Sequence, residues 1–105
     1  MRINNIFKAI PENLEDEYFE SLVENKQLKI ERIISKGHTS SSQGWYDQEQ
    51  DEWVVVLKGA ATLTFENGEE KNLKDGDYLN IPAHTKHKVS WTKTDEETIW
   101  LAVHY

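Results

Sequence analysis

The chain has 105 residues, with 12 Lys and Arg against 19 Asp and Glu, a formal net charge of −7 and no cysteine. That length suits one ordinary domain with a small core, and the lack of cysteine excludes a disulfide framework, a zinc finger and a thiol nucleophile. The acidic balance argues against a nucleic-acid partner, and the lack of any long apolar run argues against a membrane one, so a soluble cytoplasmic protein is expected.

Much of the acidity lies early. Glu12, Glu15, Asp16, Glu17, Glu20 and Glu24 fall together with no Lys or Arg among them. In the same stretch Leu14, Tyr18, Phe19, Leu22 and Val23 fall on one helical stripe, and Pro11 and Asn13 suit a helix start. The pattern predicts a short amphipathic helix over residues 12–25.

From Leu28 onward the period is two. Leu28, Ile30 and Ile34 alternate with Lys29, Glu31 and Ser35, which predicts a strand with one buried face. Residues 37–44 are polar and serine-rich and read as a loop. The run 53–57 (Trp-Val-Val-Val-Leu) is apolar on both faces, so one side belongs to the core and the other to the helix or a second subunit. A homodimer is expected on that ground. Residues 60–65 form a second strand, Asn67-Gly68 marks a hairpin, and short strands follow near Leu73 and at 78–81, 87–91 and 98–104. Seven or eight short strands with frequent turns predict an antiparallel all-β sandwich or barrel over residues 28–105, in a single domain with the helix.

Few residues carry chemistry. There is no phosphate-binding glycine loop, no HExxH and no GxSxG. Asp47, Glu49, Asp51 and Glu52 cluster, but Glu52 stands where a calcium loop needs its glycine, and Glu49 and Asp51 read as solvated. Glu52 abuts the apolar strand, so it sits at a wet strand mouth or is held by a cation or hydrogen-bond donor. His84 and His87 follow Pro82 and are placed to face one cavity. His38 reads as solvent-facing and His104 as structural.

These residues resemble the cupins, double-stranded β-helix (jelly-roll) barrels. Gly76, Pro82 and His87 match the second cupin motif, and Glu52 with Gly59 matches the end of the first. Both histidines of the first motif are replaced, by Trp45 and Asp47 with a four-residue spacer or by Tyr46 and Gln48 with a three-residue one. His84 replaces a motif glycine and Trp91 an asparagine. The resemblance implies a divalent metal (Fe, Mn or Zn) held by Glu52 and His87, with Asp47 or Gln48 as a further donor and His84 as a second nitrogen. Trp45, Tyr46, Trp53 and Trp91 would wall a pocket for a small organic ligand. The function expected is metal or small-ligand binding in the barrel. The alternatives are a metal-dependent dioxygenase, isomerase or decarboxylase of a small acid or aromatic, and a non-catalytic structural dimer.

Overall fold

The alternating segments fold as strands, and the described residues contain no helix. The computed structural model describes residues 1–40 and 44–105; Ser41, Ser42 and Gln43 of the expected serine-rich loop lie outside the described residues. The strands are β1 (Tyr18–Glu24), β2 (Lys29–Ser35), β3 (Glu52–Lys58), β4 (Ala60–Phe65), β5 (Glu70–Lys74), β6 (Tyr78–Ile81), β7 (His87–Thr92) and β8 (Thr98–His104). They form a five-stranded sheet, in the order β1-β2-β8-β3-β6, and a three-stranded sheet, β5-β4-β7. All pairings are antiparallel. Ile33, Val54, Val56, Trp100 and Ala102 of the larger sheet pack with Ala61, Leu63, Leu73 and Val89 of the smaller one. Removing these side chains from water supplies the main drive for closing the two sheets into a jelly roll. Among the described residues no helix is long and apolar enough to cross a membrane.

The helix expected at residues 12–25 is corrected to strand β1, preceded by irregular chain. β1 pairs along β2, Phe19 opposite Ile33 and Glu20 opposite Arg32, with a register shift between Ser21 and Val23. That irregularity breaks the alternation and leaves two apolar doublets, Tyr18-Phe19 and Leu22-Val23, four residues apart. Doublets at that spacing imitate a helical stripe. Glu20 is held by Arg32 at 2.8 Å across the ladder.

Two further expectations change. Alternation assigns Glu31 and Ser35 to solvent, but Glu31 is 7% exposed and Ser35 fully buried. Their parity is that of Ile33, which faces the barrel, while Ile34 and Arg32 are buried on the opposite face. The chain before β1 crosses that face, and the buried Arg32 guanidinium donates to the carbonyls of Ile6, Lys8 and Ala9.

Turns follow sequence chemistry. Gly68, at φ 92°, closes the β4–β5 hairpin by donating its N–H to the Phe65 carbonyl. Gly59 joins β3 to β4 at φ 107°, and a Cβ there would lie 2.5 Å from the Thr98 hydroxyl. Both its dihedral and its crowding require glycine.

Candidate functional site

Strand parity decides which side chains meet. On β3, Glu52 precedes Val54 and Val56 on the interior face. β8 lies beside it with Glu52 opposite His104, and β2 lies beyond with Glu31 opposite Ala102. Across the barrel, His87 opens β7 and pairs through its backbone with Tyr46 in an isolated bridge. The outcome is one cavity of about 110 Å³, open to solvent. Its polar wall comprises Glu17, Glu31, Gln48, Glu52, His87 and His104, with Tyr46 beside them; Phe19, Ile33, Val54, Leu63, Val89 and Trp100 supply the apolar wall.

Glu52 and His87, 35 positions apart in the chain, therefore share one opening. His87 Nε2 lies 3.4 Å from Glu52 Oε1, within ion-pair range though not aligned for a hydrogen bond, and that oxygen has no hydrogen-bond partner among the described residues. Gln48 Oε1 is likewise buried and unpartnered. The Nδ1–H of His87 donates to the Thr85 carbonyl at 2.7 Å, so Nε2 is the nitrogen turned to Glu52. Such a carbonyl-anchored Nδ1 also orients imidazoles that bind metals. Burial pulls the His87 pKa down, but the Glu52 carboxylate and the Thr85 carbonyl together outweigh it and raise the value above 6.5.

A second pair lies in the same cavity. His104 Nε2–H donates to Glu31 Oε1 at 3.0 Å, and Lys29 reaches the other Glu31 oxygen at 3.4 Å. The hydrogen bond from His104 lowers the Glu31 pKa, and the same bond raises that of His104. Glu17 accepts the Ser35 hydroxyl, and burial raises its pKa. The sequence reading places none of Glu17, Glu31 and His104 at the site. A signal exists for His104, which shares the parity of Trp100 and Ala102, two core residues.

The remaining expected site residues divide by parity. Of the two alignments of the first motif, the cavity receives Tyr46 and Gln48 and not Trp45 and Asp47. Asp47 instead accepts the Nδ1–H of His84 at 2.9 Å outside the cavity, where the His84 side chain is 65% exposed. Both are therefore removed from the candidate ligand set. Trp45 is also outside, with the Lys88 ammonium 4.5 Å from its ring centre. Trp53 follows Glu52, so it points to the opposite face, where its ring lies 5.6 Å from that of Tyr78. Trp91 would share the inward parity of His87 and Val89, but a register shift on β7 sets it opposite Thr62 and leaves it 45% exposed. Thr92 takes the buried place. Among the expected pocket aromatics, Tyr46 alone lines the cavity.

Metal fit rests on this donor set. Among the described residues no three His, Asp or Glu side chains are arranged to hold one metal ion, so a cation beside Glu52 and His87 needs the Gln48 amide oxygen as its third donor. One imidazole nitrogen, one carboxylate and one amide oxygen suit a borderline divalent ion, and the two unpartnered oxygens are what such an ion would satisfy.

Comparison with known proteins agrees with this architecture. The family model for the cupin domain matches residues 32–104. A candidate mannose-6-phosphate isomerase from Ralstonia eutropha JMP134 is 46% identical, with a TM-score of 0.93, over 99% of this chain and 97% of that one. A protein of Thermus thermophilus is 19% identical at TM-score 0.80, covering 99% and 96% of the two chains. A cupin superfamily protein of Desulfitobacterium hafniense DCB-2 is 20% identical at TM-score 0.76, covering 90% and 82%. No curated protein matches the chain.

Proposed function

We propose that this chain, which belongs to the cupin family, binds a divalent metal together with a small organic ligand in its barrel cavity. Glu52, His87 and Gln48 would hold the ion, and when bound it would act as a Lewis acid toward a ligand oxygen. One observation carries the reading: two buried oxygens, on the cavity-lining Gln48 and Glu52, have no hydrogen-bond donor among the described residues. Leaving such atoms unpaired is costly, so a cation or a ligand donor is the natural occupant.

A second reading is catalytic. The 46% identical structure bears the name of a candidate sugar-phosphate isomerase. Isomerisation between an aldose and a ketose moves a proton between neighbouring carbons, and two His–Glu pairs around one cavity supply groups able to take and return it. A homodimer is also part of this proposal. β1 is an edge strand, and Phe19, Leu22 and Val23 are 51%, 43% and 50% exposed on it. Apolar edge strands are usually covered. Light scattering should give twice the chain mass, falling to one chain mass in Val23→Lys.

The deciding experiment is elemental analysis of untagged protein after equilibration with Mn²⁺, Fe²⁺ or Zn²⁺ and desalting. Near-stoichiometric metal is expected, and Glu52→Ala and His87→Ala should each lose it. Metal retained in both variants, or absent from the wild type, would overturn the reading.

A further inference from the structure

The cavity wall is built against anions. Glu17, Glu31 and Glu52 line it, and among the described residues that line it none is lysine or arginine. Its two imidazoles are already committed, His87 facing Glu52 at 3.4 Å and His104 bonded to Glu31 at 3.0 Å. The nearby ammonium of Lys29 is spent on the same Glu31. A phosphate dianion entering here would meet three carboxyl side chains and no free cation of the protein, where phosphate sites ordinarily present arginine, lysine or a helix N-terminus.

The unpaired hydrogen-bonding atoms say what the wall does take. Gln48 Oε1 and Glu52 Oε1 accept no hydrogen bond among the described residues, His87 facing the latter at 3.4 Å without the alignment one needs. Trp100, 3% exposed and lining the same cavity, has an indole N–H without an acceptor. A hydroxyl group serves both kinds, because it donates and accepts. Ile33, Val54 and Leu63 give a short carbon skeleton an apolar surface. A volume of about 110 Å³ is smaller than the roughly 150 Å³ cavity that accepts one benzene, so the occupant it suits is small.

Resting on the small-ligand part of the binding reading above, we propose that the cavity without a metal ion selects a small, neutral, unphosphorylated hydroxy compound, and that the carboxylate of Glu31 contributes to the rejection of phosphate esters. The probes are dihydroxyacetone and dihydroxyacetone phosphate, a pair differing only in the phosphoryl group. Each is titrated into ¹⁵N-labelled, metal-free protein while the indole N–H resonance of Trp100, assigned with Trp100→Phe, is followed. Dihydroxyacetone should shift that resonance, and its phosphate should bind at least about tenfold more weakly. In Glu31→Gln, which removes one carboxylate and frees His104, the discrimination should narrow. Equal or tighter binding of the phosphate, no response to either probe, or discrimination unchanged in Glu31→Gln would each overturn the proposal. Zn²⁺ uptake measured on a separate sample without probe reports on the metal reading by itself, so the two failures are distinguishable.

Discussion

Tyr46 and His87 exchange both backbone hydrogen bonds, the Tyr46 N–H donating to the His87 carbonyl at 2.7 Å and the His87 N–H to the Tyr46 carbonyl at 3.2 Å. This bridge fixes the parity of an otherwise irregular segment. With residue 46 beside the histidine, residues 46 and 48 face the cavity, and Trp45 and Asp47 face away. A one-residue slip would exchange the two sets. Gln48→Ala should therefore weaken Zn²⁺ binding by at least about tenfold, as expected for losing a donor at a metal site. Asp47→Ala, which breaks only an exposed pair with His84, should leave it within about twofold. Calorimetric titration of both variants checks this, and equal losses would count against the parity.

His84 has φ 60°, in the left-handed region, at the position where the cupin motif has glycine. A non-glycine residue there costs roughly 1–2 kcal/mol. The exposed bond to Asp47 offsets at most about 1 kcal/mol of it. His84→Ala keeps the strain and loses the bond, so it should be the less stable substitution. His84→Gly should exceed His84→Ala by about 1 kcal/mol in urea unfolding. Equal stability of the two would show that the backbone there relaxes.

The barrel is legible in the sequence because its signals are local. Asn67-Gly68 has one good use, as a hairpin, and residues 78–81 and 98–104 match their strands in full. β1 escapes such a reading because its broken register destroys the alternation that identifies a strand. Half of the site is legible for a related reason. Glu52 and His87 sit at motif positions, whereas Gln48 depends on a spacer length that sequence leaves open. Glu31 is hidden by the rule that polar residues face water, whereas His104, whose inward parity is legible, reads as structural and not as part of a site. That rule fails where the interior of a barrel is itself a wet, charged pocket.

Gly59 tests the close packing of the β3–β4 junction. Its φ of 107° and the 2.7 Å separation of a built Cβ from Thr98 Cα leave no room for a methyl group, since the obstacle includes backbone. Strain of about 1–3 kcal/mol and overpacking of a similar size should add. Gly59→Ala should therefore lose about 2 kcal/mol or more in thermal unfolding. A Tm within experimental scatter of the wild type would contradict so close an approach of Thr98.

The Glu31–His104 pair sets a pH window for stability. Glu31 has a lowered pKa in the fold, so its contribution is present above its ordinary 4.5 and is lost as pH falls through the folded value. His104 has a raised pKa, so its contribution is full below 6.5 and is lost as pH rises through the folded value. The pair should support metal-free protein best between those limits. His104→Gln should cost about 1–3 kcal/mol near pH 5.5 and less at pH 9. A cost that does not change with pH would mean that the imidazole stays neutral and acts through packing.

Glu17 has the opposite sign. Burial raises its pKa above 4.5, so the unfolded chain gives up the proton first. Its favourable contribution is complete below 4.5 and disappears as pH climbs through the folded value, which leaves the ionised form a burden near neutrality. Glu17→Gln removes that burden and keeps an amide oxygen to accept the Ser35 hydroxyl. The variant should melt higher than the wild type at pH 7, and the two should converge at pH 4. A lower melting temperature at pH 7 would mean that the charge itself, balanced by neighbours such as His38, supports the fold.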